Sequence, residues 1–210
     1  MPRHAQKKRR TYHHGDLETA LLDAADALVT KHGPIGFSLR EAARIVGVDP
    51  AACYRHFRDR DAVLEALARR GFTRLARALA SAAASRDATA RHRLVALGRA
   101  YIDFALAEPS AFRVMFGPTG RDARDPRLRG DYGDGIGAYE RLQVALAAWA
   151  DAEHMKINID AASVALWSGV HGLACLFIDG ALTTNNDGER RRIIDDMIET
   201  LLVGVEHRAK

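Results

Sequence analysis

Cysteine is nearly absent from this chain. Cys53 and Cys175 are the only two among 210 residues. They stand far apart, and neither belongs to a CxxC or a Cys/His spacing, so neither a disulfide framework nor a zinc site is indicated. Both are expected to be buried and reduced, a state that suits the cytosol. Long hydrophobic runs are missing too: none approaches the ~20 apolar residues that span a bilayer. The basic amino terminus is not followed by the apolar stretch of a secretory leader. No alternating strand pattern of useful length appears, and there are no internal repeats. HExxH, P-loop and GxSxG signatures are all absent. Asp151 and His154 are close in sequence, but such i, i+3 pairs are common on charged helix faces. No catalytic residue, metal site or cofactor is therefore expected, and an enzyme is the weaker reading.

What the sequence does have is charge in one place. Residues 1–58 hold ten Lys and Arg against six Asp and Glu, whereas the remainder holds 21 of each. The whole formal excess of +4 therefore lies in the first quarter of the chain. A localised cationic excess is the electrostatic footprint of a polyanionic partner.

The same region carries the most informative stretch, residues 38–57, SLREAARIVGVDPAACYRHF. Ser38 followed by Glu41 forms a capping box. Leu39, Ala42, Ala43 and Val46 give the first helix an apolar face. Gly47 ends it by tolerating left-handed backbone. Asp49 caps a second helix, and Pro50 takes its first position, where a missing N–H costs nothing. Ala51, Ala52, Tyr54, Arg55 and His56 follow: small residues first, then hydrogen-bonding and cationic ones. A helix with so uncluttered a leading end can enter a DNA major groove. This is a helix-turn-helix pattern.

The run YHHGDL at 12–17, then SLREAARIVGV, YRHF and the Gly71-Phe72 pair, resembles the amino-terminal domain of the TetR family of bacterial transcriptional regulators. The resemblance covers about residues 10–72. Farther on, WSGVHGLACLFIDG at 167–180 resembles the WHG-type ligand-binding domain of one branch of that family. Together they imply a homodimeric, all-α repressor with an effector pocket. The expected organisation is a flexible basic arm at 1–14, a helix-turn-helix DNA-binding domain at 15–58, and an effector-binding and dimerisation domain at 59–210, with a fourth helix from 59 as connector.

Along the chain the periodicity is helical almost throughout. Residues 1–10, MPRHAQKKRR, carry five cations and no apolar pattern, so they read as a disordered arm, either a solubilising tail or one that tracks phosphates or the minor groove. Asp16 is expected to cap the first helix, which Gly33-Pro34 ends. Phe37 is placed as a hydrophobic staple. Asp59 caps a fourth helix running to about Ala84. A fifth stops before Pro109, and a short sixth spans 110–116. Residues 117–137 read as a loop, with a seventh helix starting either after Asp125 or only near Ile136. An eighth covers 160–182 and a ninth 187–208. The eighth carries Gly169, Gly172 and Gly180, and mid-helix glycine costs ~1 kcal/mol relative to alanine, which suggests close helix contact. The ninth has a broad apolar band: Ile194, Met197, Ile198, Leu201, Leu202 and Val205. These two helices are expected either to form a four-helix interface with a second copy or to complete an ordinary core.

Carried over position by position, the resemblance implies DNA contacts from Ser38, Arg40, Pro50, Ala51, Ala52, Tyr54, Arg55, His56 and Arg60. Arg40 can pair bidentately with guanine, and the two alanines can meet a thymine methyl. Tyr54 and His56 match phosphate positions, Arg55 reads a base edge or a phosphate, and Arg60 adds a phosphate contact. Ala42 and Cys53 depart from the family's larger aliphatics, so looser packing is expected there. An effector pocket is expected among Phe72, Tyr101, Phe104, Phe112, Met115, Phe116, Tyr139, Leu142, Trp149, Trp167 and His171, of which His171 fits a hydrogen-bonded core role as well as a ligand contact. The partners implied are an operator in double-stranded DNA, a second copy of the chain and a small molecule, with no membrane. An activator, or an architectural DNA binder without an effector, is the alternative.

Overall fold

The computed structural model describes residues 14–84, 88–117 and 137–209. Among these the chain forms nine α-helices and no strand: α1 His14–Gly36, α2 Leu39–Val46, α3 Pro50–Cys53, α4 Arg60–Ala83, α5 Ala90–Ala107, α6 Pro109–Phe116, α7 Ala138–Ala152, α8 Ile159–Ile178 and α9 Asp187–Arg208. The basic arm and the alternative starts of the seventh helix at Asp125 and Ile136 lie outside the described residues. The chain divides into two compact units at Leu67 and Ala68, within α4.

In the first unit α1 is already under way at His14, so Asp16 lies in its first turn and is not its cap. Regular helix breaks at Gly33 (φ 74°), and one more turn follows through Pro34 to Gly36. Leu21, Ala25, Val29, Phe37, Leu39, Ala42, Ala43, Cys53, Phe57, Val63 and Leu64 are all buried. Ala42 and Cys53 are fully enclosed despite their small size.

In the second unit α5 is the central helix, packed on α7, α8 and α9, with α6 at its end. Leu97, Tyr101, Ile102 and Ala105 of α5 are buried together with Leu146 and Trp149 of α7, Leu173 and Ala174 of α8, and Ile194, Ile198 and Leu202 of α9. The helix starts are locally encoded. The side-chain oxygens of Thr89, Asn158 and Asn186 accept from N–H groups three residues on, at 3.2, 3.0 and 2.9 Å. Such caps satisfy donors that the helix itself cannot. Along the outside, α5 is tied to α9 by charge: Arg91 to Glu199 and Glu206, Arg99 to Asp195, and Asp103 to Arg191.

One expectation changes here. Gly180 is not inside α8 but beyond its end, at φ 71°, where glycine suits the left-handed turn. The apolar band of α9 serves the chain's own core: Ile194, Ile198, Leu202 and Val205 are buried within it. By length and composition alone α8, at 20 residues with a mean hydropathy of 1.7, would also suit a membrane, but Ser163, Leu166, Leu173 and Ala174 are buried in the chain's own core.

Candidate functional site

The helix-turn-helix is held by its own punctuation. The Ser38 hydroxyl oxygen accepts from the Glu41 N–H at 3.2 Å, which leaves its proton free to be donated outward. Gly47 is left-handed (φ 79°), and its N–H reaches the Ala43 carbonyl. A carboxylate oxygen of Asp49 accepts from the Ala51 N–H at 2.7 Å. Regular helix then lasts only four residues, because Tyr54, Arg55 and His56 form a turn. The recognition element is therefore shorter than its sequence suggests, and its cationic end is a turn.

Arg40, Pro50, Ala51, Tyr54 and Arg55 are exposed, and Tyr54 is half exposed despite its aromatic ring. Ala52 does not join them. It is buried beside Cys53, so the expectation that it meets a thymine methyl fails on geometry. His56 is turned inward as well: its side chain is 14% exposed, with Nδ1 3.8 Å from the Glu18 carboxylate. Arg60 Nη1 donates to the Ile35 carbonyl at 3.1 Å, bracing the segment after the α1 kink. That bond occupies part of a guanidinium expected to contact phosphate. Arg44, also exposed, lies 3.9 Å from Glu41. The Cys53 thiol is pushed up by burial and by Asp49, so it is not a reactive thiolate.

The second unit holds a cavity of about 320 Å³. Of the expected pocket residues, Phe72, Tyr101, Phe116, Tyr139, Leu142 and Trp167 line it. Phe104, Phe112, Met115 and Trp149 do not; they are buried in the core. His171 is not on the wall either, but it stands directly behind it. Its Nδ1 is 2.9 Å from the Tyr101 hydroxyl, and the Trp167 indole N–H donates to that hydroxyl at 3.2 Å. Trp167 can only donate, so the phenol oxygen accepts from it, and the direction of the Tyr101–His171 bond is set by the imidazole tautomer. The other ring nitrogen, Nε2, is 3.6 Å from Cys175 Sγ. Burial raises the Tyr101 phenol far above its ordinary range, and the bond from Trp167 opposes only part of this. The phenol stays neutral. Cys175, expected to be buried, is half-buried, and its thiol too is raised by burial.

Most of the remaining wall is aliphatic. Leu75 and Leu79 come from α4, Leu94 and Leu97 from α5, Leu166 and Val170 from α8, and Ile198, Leu201 and Leu202 from α9, with Glu140 and Gln143 from α7. None of these was assigned to a pocket from the sequence, because a leucine beside a cavity has the same helical spacing as a leucine in solid core. Dimensions and apolar character match small-molecule sites, which are typically about 300–1,000 Å³ and mostly hydrophobic.

Residues 21–67 match the profile described as "Bacterial regulatory proteins, tetR family", and residues 94–201 match "Tetracyclin repressor-like, C-terminal domain". The chain belongs to the TetR family of transcriptional regulators. A TetR-family regulator is a DNA-binding transcription factor and not an enzyme. Among relatives, the chain is 29% identical over 100 residues to the "Uncharacterized HTH-type transcriptional regulator YobS" of Bacillus subtilis (strain 168). That match covers 48% of this chain and about half, 51%, of the relative. A solved protein of unknown function from Rhodococcus sp. RHA1 is 30% identical and superimposes with a TM-score of 0.70, over 96% of this chain and 100% of that one. A tetR-family regulatory protein from Rhodococcus RHA1, at 20% identity, shares the fold with a TM-score of 0.64 over 90% of this chain and 96% of its own.

Proposed function

We propose that this regulator is a homodimeric, cytoplasmic bacterial repressor that holds a palindromic operator and releases it when a small molecule fills the cavity of the second unit. The observation that carries the reading is the conjunction of an apolar cavity of about 320 Å³ with a helix-turn-helix domain whose preceding basic arm supplies the cationic excess of residues 1–58. The DNA face in this proposal is Ser38, Arg40, Pro50, Ala51, Tyr54 and Arg55, with Arg60 and His56 at its edge and Ala52 withdrawn. In a dimer the two reading elements would lie about 34–36 Å apart, in successive major grooves. Release requires the effector to prefer a conformation in which that spacing is wrong.

The second copy is assigned to α8 and α9. Ala161, Val164, Ala165, Ser168, Gly172 and Leu176 are exposed along one face of α8, and Val203 and Gly204 are exposed on α9. Small and apolar residues left in solvent at helical spacing are what a close helix–helix contact would cover. In domain terms, residues 15–58 read DNA and 59–210 bind the effector and the second copy, with α4 shared by both.

Selection of duplexes from a random pool, followed by footprinting, tests the reading. A short protected inverted repeat occupied by two chains supports it. Broad protection without a palindrome points to an architectural binder, and a protected site that raises transcription points to an activator.

A further inference from the structure

The cavity changes character along its length. Helices α4 and α5 run antiparallel beside it: Arg74 pairs with Glu108 at 2.7 Å toward one end, and residues 84–89 join the two helices at the other. Phe72 of α4 and Tyr101 of α5 line the first end. Phe116 of α6 packs against both rings, with centroids 5.4 and 6.4 Å away. Trp167 of α8 lies 6.3 Å from Phe116, and Tyr139 of α7 lies 5.7 Å from Trp167. These wall aromatics, drawn from five helices, form one connected cluster. Two of their contacts are edge to face, at interplanar angles of 75° and 67°. Farther along the same two helices the wall turns aliphatic: Leu75 and Leu79 follow Phe72, and Leu97 and Leu94 precede Tyr101. From Phe72 to Leu79, and from Tyr101 to Leu94, is two helical turns, or about 10 Å. An aromatic end and a leucine end are therefore separated by the length of a small molecule.

From this we infer that the effector is an elongated molecule with an aromatic ring at one end and a saturated tail at the other. This rests on the effector reading of the cavity. The ring lies among Phe72, Phe116 and Trp167, and the tail points toward Leu79 and Leu94. A guest ring extends the edge-to-face pattern already present at its end, and such pairs contribute beyond the area they bury. At the leucine end a guest gains only burial and contact, which methylenes supply as well as a ring does. Aromatic faces also attract cations, so a cationic head is the rival that the experiment must separate.

The test compares 4-phenylbutanol, 4-cyclohexylbutanol and hexyltrimethylammonium, with binding to the full chain read by calorimetry. The cyclohexyl compound is the more hydrophobic, so burial alone favours it. The phenyl compound should instead bind at least about threefold tighter, within the range that aromatic pairing supplies. Phe116→Leu, at the ring end, should erase that preference, whereas Leu94→Val, at the leucine end, should weaken both compounds alike and leave it standing. Should Phe116→Leu lose its helical circular dichroism, Tyr139→Leu replaces it, since Tyr139 is partly exposed. Equal or tighter binding of the cyclohexyl compound overturns the inference, as does a phenyl preference that survives in a folded ring-end variant or vanishes in Leu94→Val. Ammonium binding as tight as that of the phenyl compound, or no phenyl binding up to its solubility, overturns it too. Operator release is measured separately by DNA anisotropy. Preferential phenyl binding without release upholds the ligand class and removes the release reading. Release by the cyclohexyl compound or the ammonium alone upholds release and removes the class.

Discussion

The Tyr101 hydroxyl lies 2.9 Å from Nδ1 of His171 and orients that ring. The same oxygen accepts the Trp167 N–H, so one phenol partners two half-buried polar groups on α8. Removing it leaves both without their partner. Tyr101→Phe should therefore destabilise the protein by about 1–3 kcal/mol, the cost of an unmet buried polar group. Urea denaturation measures this. A change below about 0.5 kcal/mol would mean that the three groups do not depend on one another.

Two glycines on α8 should behave oppositely. A Cβ on Gly169 would collide with Leu201 Cδ1 of α9, whereas one on Gly172 meets nothing within 4 Å. Gly169→Ala should cost about 1–3 kcal/mol through overpacking. Gly172→Leu should leave the subunit folded yet raise the dimer dissociation constant at least tenfold by sedimentation, if α8 forms the interface. Unchanged self-association would place the second copy elsewhere.

Acid should loosen the clasp between α5 and α9. Glu199 is held below its ordinary value of 4.5, first by its hydrogen bonds from Arg91, at 2.6 and 3.1 Å. A carboxylate depressed in the folded state contributes stability that is complete above its unfolded value and fades as pH falls through the folded one. Glu199 is over half exposed, so the effect is small. Glu199→Gln should lower stability at pH 7 but flatten its decline below the ordinary carboxylate range, as read by thermal melts across pH.

His154 follows α7 with φ at 54°, the only described non-glycine residue in left-handed backbone. The Met155 N–H closes onto the Ala150 carbonyl at 2.8 Å around it, a helix ending that normally uses glycine. His154→Gly should raise stability by about 0.5–1 kcal/mol by relieving this conformation. A loss on denaturant titration would show that the imidazole has a role of its own.

Where chemistry is local, the sequence was legible. Ser38, Gly47, Asp49 with Pro50, and Asp59 each act on atoms within four residues, and each does what its type dictates. The end of α3 was not legible, because nothing in YRHF says that the helix stops at Cys53; burial of Ala52 and Cys53 and the turn back toward Glu18 are tertiary matters. The cavity was legible mainly through its aromatics, with Leu142 beside them. Phe112 and Phe116 share α6 at an i, i+4 spacing, yet only Phe116 reaches the wall. That choice depends on how α5, α6 and α8 meet. For the same reason the apolar stripe on α9 left two readings open: periodicity marks a buried face without naming what buries it.

The brevity of α3 has one more outcome. A single helical turn has almost no stability of its own, so the residues that would touch operator bases owe their order to the two that face away from them. Cys53, with no surface to offer any ligand, is thus in a position to set how sharply the protein discriminates one binding sequence from another. Changing its volume would loosen Ala51, Tyr54 and Arg55 together, trading selectivity for tolerance without altering a single contacting side chain.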